Sequence, residues 1–70
     1  MILRRFRSLT ERQYDTMLLV VRGLPSKAIA AEMGISERTV KSHRGEVMRK
    51  LGVSSIAELV ALALRVDIIR

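Results

Sequence analysis

Residues 27–40 read Lys-Ala-Ile-Ala-Ala-Glu-Met-Gly-Ile-Ser-Glu-Arg-Thr-Val, and this stretch constrains the fold more than any other. A tight turn between crossing helices needs a small residue where the backbones touch and a glycine that tolerates positive φ. It also needs apolar residues bracketing the turn. Ala30, Gly34 and the set Ile29, Met33, Ile35 and Val40 supply these in that order. Ser36 can cap the second helix, and Glu37 in its first turn favours the positive helix end. Any helical hairpin can use alanine and glycine this way, so the pattern fixes local geometry before it says anything of role.

The rest of the chain is punctuated in the same style. No strand-like alternation of period two survives beyond a few residues. Thr10 and Gln13 offer a capping box, after which Tyr14, Met17, Leu18 and Val21 recur at helical spacing until Gly23 and Pro25 stop the segment. Ser26 can cap a short helix over 27–33. The next helix is expected over 37–51 with Gly52 as its C′ residue. Ser55 and Glu58 form another capping box and open a last helix through about Ile68. The expectation is an all-α fold: a compact four-helix domain over 9–70 containing a helix-turn-helix. Residues 1–8 are expected as a basic arm or linker stub.

Size and composition narrow the role. A domain of 70 residues hides only ~60 % of the surface of its unfolded chain, too little for a deep catalytic cavity or a buried cofactor. The chain has no cysteine and one histidine, which excludes a disulfide framework, thiolate metal sites and an imidazole metal site. No base–nucleophile pair or phosphate loop is present, so neither an enzyme nor a cofactor or small-molecule ligand is expected. No apolar run approaches the ~18 residues of a membrane span, and the first residues lack a signal-peptide core. A cytoplasmic location, without a membrane partner, is the expectation.

Charge is unevenly placed. Of a formal net charge of +6, Arg4, Arg5 and Arg7 supply +3 within 1–8. Arg38, Lys41, Arg44, Arg49 and Lys50 against Glu37 and Glu46 supply the other +3 within 36–51. A solubilising charge would be spread more evenly. Placing 37–51 on a helical wheel with Val40 at zero puts Val47 and Leu51 within ~20° of it, Met48 at the stripe's edge and His43 ~60° away. The opposite arc, from ~100° to ~200°, carries Lys41, Gly45, Arg38, Arg49 and Ser42 and no acid. Glu46 sits just outside it. Glycine there disfavours the helix by ~1 kcal/mol relative to alanine, and a merely solvated face gains nothing from it. Long cations flanking a small residue suit a B-DNA major groove. His43 and Met17, Met33 and Met48 read as structural residues. Phe6 and Tyr14 are too few for a base-stacking platform.

These segments together resemble the LuxR-type (NarL/FixJ) DNA-binding domain. The resemblance rests on Leu9-Thr10-Glu11-Arg12, Gly23 through Ala30, Gly34 through His43 with its Thr-Val-Lys-x-His element, and Val47 through Val53. It covers about 9–65. It implies a transcriptional regulator binding double-stranded DNA, of the kind found in two-component response regulators, with RNA polymerase as a further candidate partner. Lys41, Ser42 and Gly45 match positions that face base edges, and Arg38 shares their arc. Lys27 and Thr39 match phosphate-facing positions, to which Arg44 and Arg49 are added as flanking cations. Gln13 stands where the family usually has glutamate, which removes the carboxylate of an internal salt bridge.

The last helix holds more apolar residues than one core stripe needs. Ile56, Leu59, Val60 and Ala63 form the expected inward stripe; Leu62, Val66 and Ile69 lie on one adjoining face, and Leu64 and Ile68 on another. Family members generally dimerise through this helix, so the resemblance implies a weak homodimer, with Leu62, Leu64, Val66, Ile68 and Ile69 as interface candidates. A sigma-factor region 4-like promoter-binding module shares the Leu-Thr-x-Arg start, and a basic helical module binding protein or anionic membrane is the other rival. Dimerisation separates the first from the LuxR type, and preference among DNA sequences separates the second.

Overall fold

The computed structural model describes residues 2–66, folded into five α-helices: α1 (Ile2–Arg7), α2 (Glu11–Val21), α3 (Ser26–Met33), α4 (Glu37–Leu51) and α5 (Ile56–Arg65). The capping box at the start of α2 is reciprocal. The Gln13 amide donates to Thr10 Oγ1 at 3.1 Å, and the Thr10 amide donates to Gln13 Oε1 at 3.0 Å. At the start of α4, Ser36 Oγ accepts from the Thr39 amide at 3.1 Å. Gly34, between α3 and α4, has φ +68°, a conformation that costs other residues a Cβ clash. It bends the chain sharply enough for α4 to cross α3.

Helix α4 is the centre of the packing and lies against α1, α2 and α3, while α5 packs on α2. Its Val40, Val47 and Leu51 point inward and join Met17, Val20, Ile29 and Leu59 in one core. Each such side chain removed from water contributes about 1.5–3 kcal/mol. Every buried side-chain nitrogen and oxygen among the described residues has a hydrogen-bond partner. Buried Thr16, for example, donates back to the Arg12 carbonyl at 2.8 Å. Among these residues no helix is long and apolar enough to cross a membrane.

Three sequence expectations change. The first is the helix count, because residues 2–7 form α1 where an arm was expected. Phe6 is only 6 % exposed within the core, and Arg5 Nη1 donates to the Leu51 carbonyl at the C-terminal end of α4 (3.3 Å). Lys50 Nζ closes the junction by donating to the Ser8 carbonyl and to Gln13 Oε1, both at 2.9 Å. Gln13 thus keeps a charge-assisted contact without a carboxylate. Three arginines in seven residues dominate the sequence signal there, yet a single buried aromatic ring and one hydrogen bond to the end of α4 anchor the helix.

The second change concerns caps. Pro25, not Ser26, is the N-cap of α3; Ser26 is its first helical residue and is buried. At α5, Ser55 Oγ accepts from the Glu58 amide at 3.1 Å as expected, but the Glu58 carboxylate takes the Ser54 amide instead, at 2.8 Å. The third is the rotation of α5. Its buried stripe is Leu59, Leu62 and Ala63, with half-buried Val66 packed beside it, whereas Ile56 is 44 % exposed. The stripe is turned by roughly 60° from the wheel's expectation. A wheel ranks faces by apolar content, and α5 is apolar nearly all round, so the position of α2 decides which face is covered. Leu62, at 8 % exposure, is therefore a core residue and not part of an outer seam. Ile68 and Ile69 lie outside the described residues.

Candidate nucleic-acid interface

Burying Val40, Val47 and Leu51 sets the rotation of α4, and the opposite arc then faces solvent without choice. Arg38, Lys41, Ser42, Gly45 and Arg49 are all exposed. The wheel expectation for this helix therefore matches the structure. Gly45 stands in open space: a Cβ built there meets no heavy atom within 4 Å. No internal contact explains a glycine at this position.

The expected phosphate-facing residues divide into two groups. Lys27, in the first turn of α3, is exposed. Thr39 is half-buried, with its hydroxyl 2.9 Å from that of Ser36, so its side chain completes the cap of α4. Arg44 is half-buried and donates from Nη1 to buried Ser26 Oγ at 2.7 Å, which ties the middle of α4 to the start of α3. Its other guanidinium N–H groups make no hydrogen bond among the described residues. His43 is half-buried on the flank, in keeping with a structural residue.

Arg49 has a partner that sequence reasoning missed. Its Nε and Nη2 donate to Oε2 and Oε1 of Glu46 at 3.0 and 2.9 Å, a bidentate pair one helical turn apart. The hydrogen bonds from Arg49, then its positive charge, hold the Glu46 carboxyl below the ordinary carboxylate range, and the same contact raises the Arg49 guanidinium. The i,i+3 spacing was the available signal. It is the one ion pair among the described residues.

An open groove of about 390 Å³ lies elsewhere, between α2 and α3, lined by Arg12, Asp15, Leu18, Leu19, Arg22, Glu32 and Met33. Its charges are of both signs, which does not suit a polyanion, and none of the sequence-predicted site residues lines it.

Residues 7–63 match the family model of bacterial regulatory proteins of the luxR family. The transcriptional regulatory protein FixJ of Rhizobium meliloti (strain 1021) is 45 % identical over 60 residues, covering 86 % of this chain and 29 % of FixJ. The response regulator protein TodT of Pseudomonas putida is also 45 % identical over 60 residues, covering 86 % of the chain and 26 % of TodT. Among solved structures, the response regulator StyR superposes with a TM-score of 0.90 at 47 % identity over 91 % of this chain and 32 % of StyR. Full-length FixJ from B. japonicum does so with a TM-score of 0.90 at 39 % identity, over 99 % of this chain and 34 % of that one. The chain thus spans between a quarter and about a third of the length of these relatives. With this helix-turn-helix, this exposed basic face and these matches, the chain belongs to the LuxR family of DNA-binding bacterial transcription regulators.

Proposed function

We propose that α4 enters the major groove of double-stranded DNA and reads sequence there, as the recognition helix of a transcriptional regulator. Arg38, Lys41 and Ser42 would meet base edges, and Lys41 and Arg38 have the reach and charge for guanine O6 and N7. Lys27 and the free N–H groups of Arg44 would hold phosphates on the groove walls, with Thr39 beside them. Arg49 would add a phosphate contact once it parts from Glu46.

The observation that carries this reading is Gly45 in open space on the exposed face. It weakens the helix and serves no internal packing, so its use lies in letting another surface come close. Gly45→Ala is therefore expected to act with opposite signs on folding and binding. Stability should rise by up to ~1 kcal/mol, lifting Tm by roughly 4–8 °C in a domain this small. Duplex affinity should fall by about 1–3 kcal/mol, the usual penalty for forcing a methyl group into a packed contact. Thermal denaturation and a fluorescence anisotropy titration check the two halves. A variant that is both more stable and equally tight would remove the support from Gly45.

Pairing of two copies through α5 follows from its uncovered side. Leu64 is 54 % exposed and Ile56 44 %, on a helix whose inner stripe is already committed to the core. A two-fold axis there would set two recognition helices on half-sites about one helical turn apart. Leu64→Glu, with helicity confirmed by circular dichroism, is expected to abolish cooperative binding to a paired site and leave single half-site affinity nearly unchanged. Retained cooperativity in the folded variant would place the interface elsewhere.

A further inference from the structure

Glu46 is the carboxylate beside the groove-facing arc of α4, and it engages one cation of that arc. Arg38 and Lys41 have no ion-pair partner among the described residues, whereas Arg49 is held through Nε and Nη2 to both Glu46 oxygens. Stability does not account for this pair. It is solvent-exposed, and exposed pairs of this spacing contribute little in water and open readily. Its consequence arises where a polyanion approaches. A carboxylate is repelled by phosphate oxygens and by the N7 and O6 acceptors of guanine. The major groove offers it donors only at exocyclic amino groups, above all cytosine N4. Arg49 meanwhile cannot give its full charge to a phosphate while Glu46 neutralises it.

Resting on the reading of α4 as the groove-entering helix, we propose that Glu46 is a specificity-determining residue that works by exchange. On DNA presenting a cytosine amino group opposite it, the Glu46 carboxylate accepts from that group and releases Arg49 to a phosphate. On other DNA no donor meets Glu46, and its carboxylate keeps competing with the phosphates for Arg49. Glu46 thereby lowers affinity for the wrong sequence more than for the right one.

The test uses the 70-residue chain with a duplex it enriches from a randomised pool and a shuffled duplex of equal composition. Glu46→Gln keeps the shape and removes the charge on an exposed helix turn, so the fold is retained. The variant is expected to bind the shuffled duplex roughly three- to tenfold tighter, with a log–log salt slope steeper by about 0.9, the signature of one added phosphate contact. The ratio of selected to shuffled affinity should fall about tenfold, and a repeated selection should lose its cytosine at one position. Adding Arg49→Gln to Glu46→Gln should return the shuffled-duplex slope to that of the unchanged protein. A ratio and slope unaltered by Glu46→Gln, beside an unchanged protein that does discriminate, would overturn the exchange alone. A steep slope persisting in the double variant would do the same. An unchanged protein with no preference for any duplex would overturn the base-reading role of α4 and the exchange with it.

Discussion

Lys41→Ala is expected to weaken binding to a selected duplex by about 1–3 kcal/mol, and to relax discrimination at one base position. Lys41 is exposed on the outward arc of α4, one turn before Gly45. In the proposed arrangement, the open space at Gly45 would let the helix sit deep enough for a lysine at 41 to reach a base edge. Exposure also makes the variant safe for folding, since no core contact is lost. Binding to a shuffled duplex should fall far less, because a base-directed cation adds little where its base is absent. Titrations of both duplexes at one fixed salt concentration read the difference. Equal losses on the two would reassign Lys41 to the phosphates.

Phe6→Ala is expected to lower unfolding stability by about 3 kcal/mol, at the lower end of values for a buried phenylalanine because the site lies at the edge of the core. The ring is 6 % exposed and belongs to the same cluster as Met17 and Leu51. Its loss should also loosen α1, and with it the Arg5 donor at the Leu51 carbonyl. Urea denaturation measures the change, and the midpoint should move while the slope stays constant. A loss below about 0.5 kcal/mol, the range of ordinary surface substitutions, would mean that α1 is an appendage to the domain and not part of its core.

Phe6 also marks where the sequence was hard to read. The helices α2 to α5 announce themselves through caps and stops, since Thr10, Ser36, Gly34 and Gly52 each have one low-energy use in their context. The exposed arc of α4 was legible for a related reason: three apolar residues at helical spacing fix which side turns inward. For α1 the pattern is too short to stand out: Ile2, Leu3 and Phe6 share helical spacing over fewer than two turns, among three arginines. For α5 the pattern is present but degenerate. With Ile56, Leu59, Val60, Leu62 and Leu64 distributed around the helix, only the neighbouring α2 selects the buried stripe, and Leu62 went inward while Ile56 stayed out.

The site shows the same division. Which residues face outward follows from the helical repeat, but what they touch depends on rotamers and neighbours that no wheel contains. Arg44 reaches Ser26 on another helix, 18 positions away in sequence. Arg49 folds back on Glu46 within its own helix. Both were expected as phosphate-facing cations, and each already has a partner within the fold. The charge count of the segment was therefore a better guide to the kind of partner than to the state of each cation.

The outward arc of α4, flanked by Lys27 and Arg44, is the surface proposed to meet duplex DNA. Backbone amide shifts in nuclear magnetic resonance spectra, followed while a selected duplex is titrated into the chain, test it most directly. With a duplex holding a single half-site, the largest changes are expected at Arg38, Lys41, Ser42 and Gly45, with smaller ones at Lys27 and Arg44, while α5 around Leu59 and the groove residues Arg12, Asp15 and Arg22 stay still. The largest changes falling instead on the groove between α2 and α3, with Lys41 and Gly45 unmoved, would contradict it.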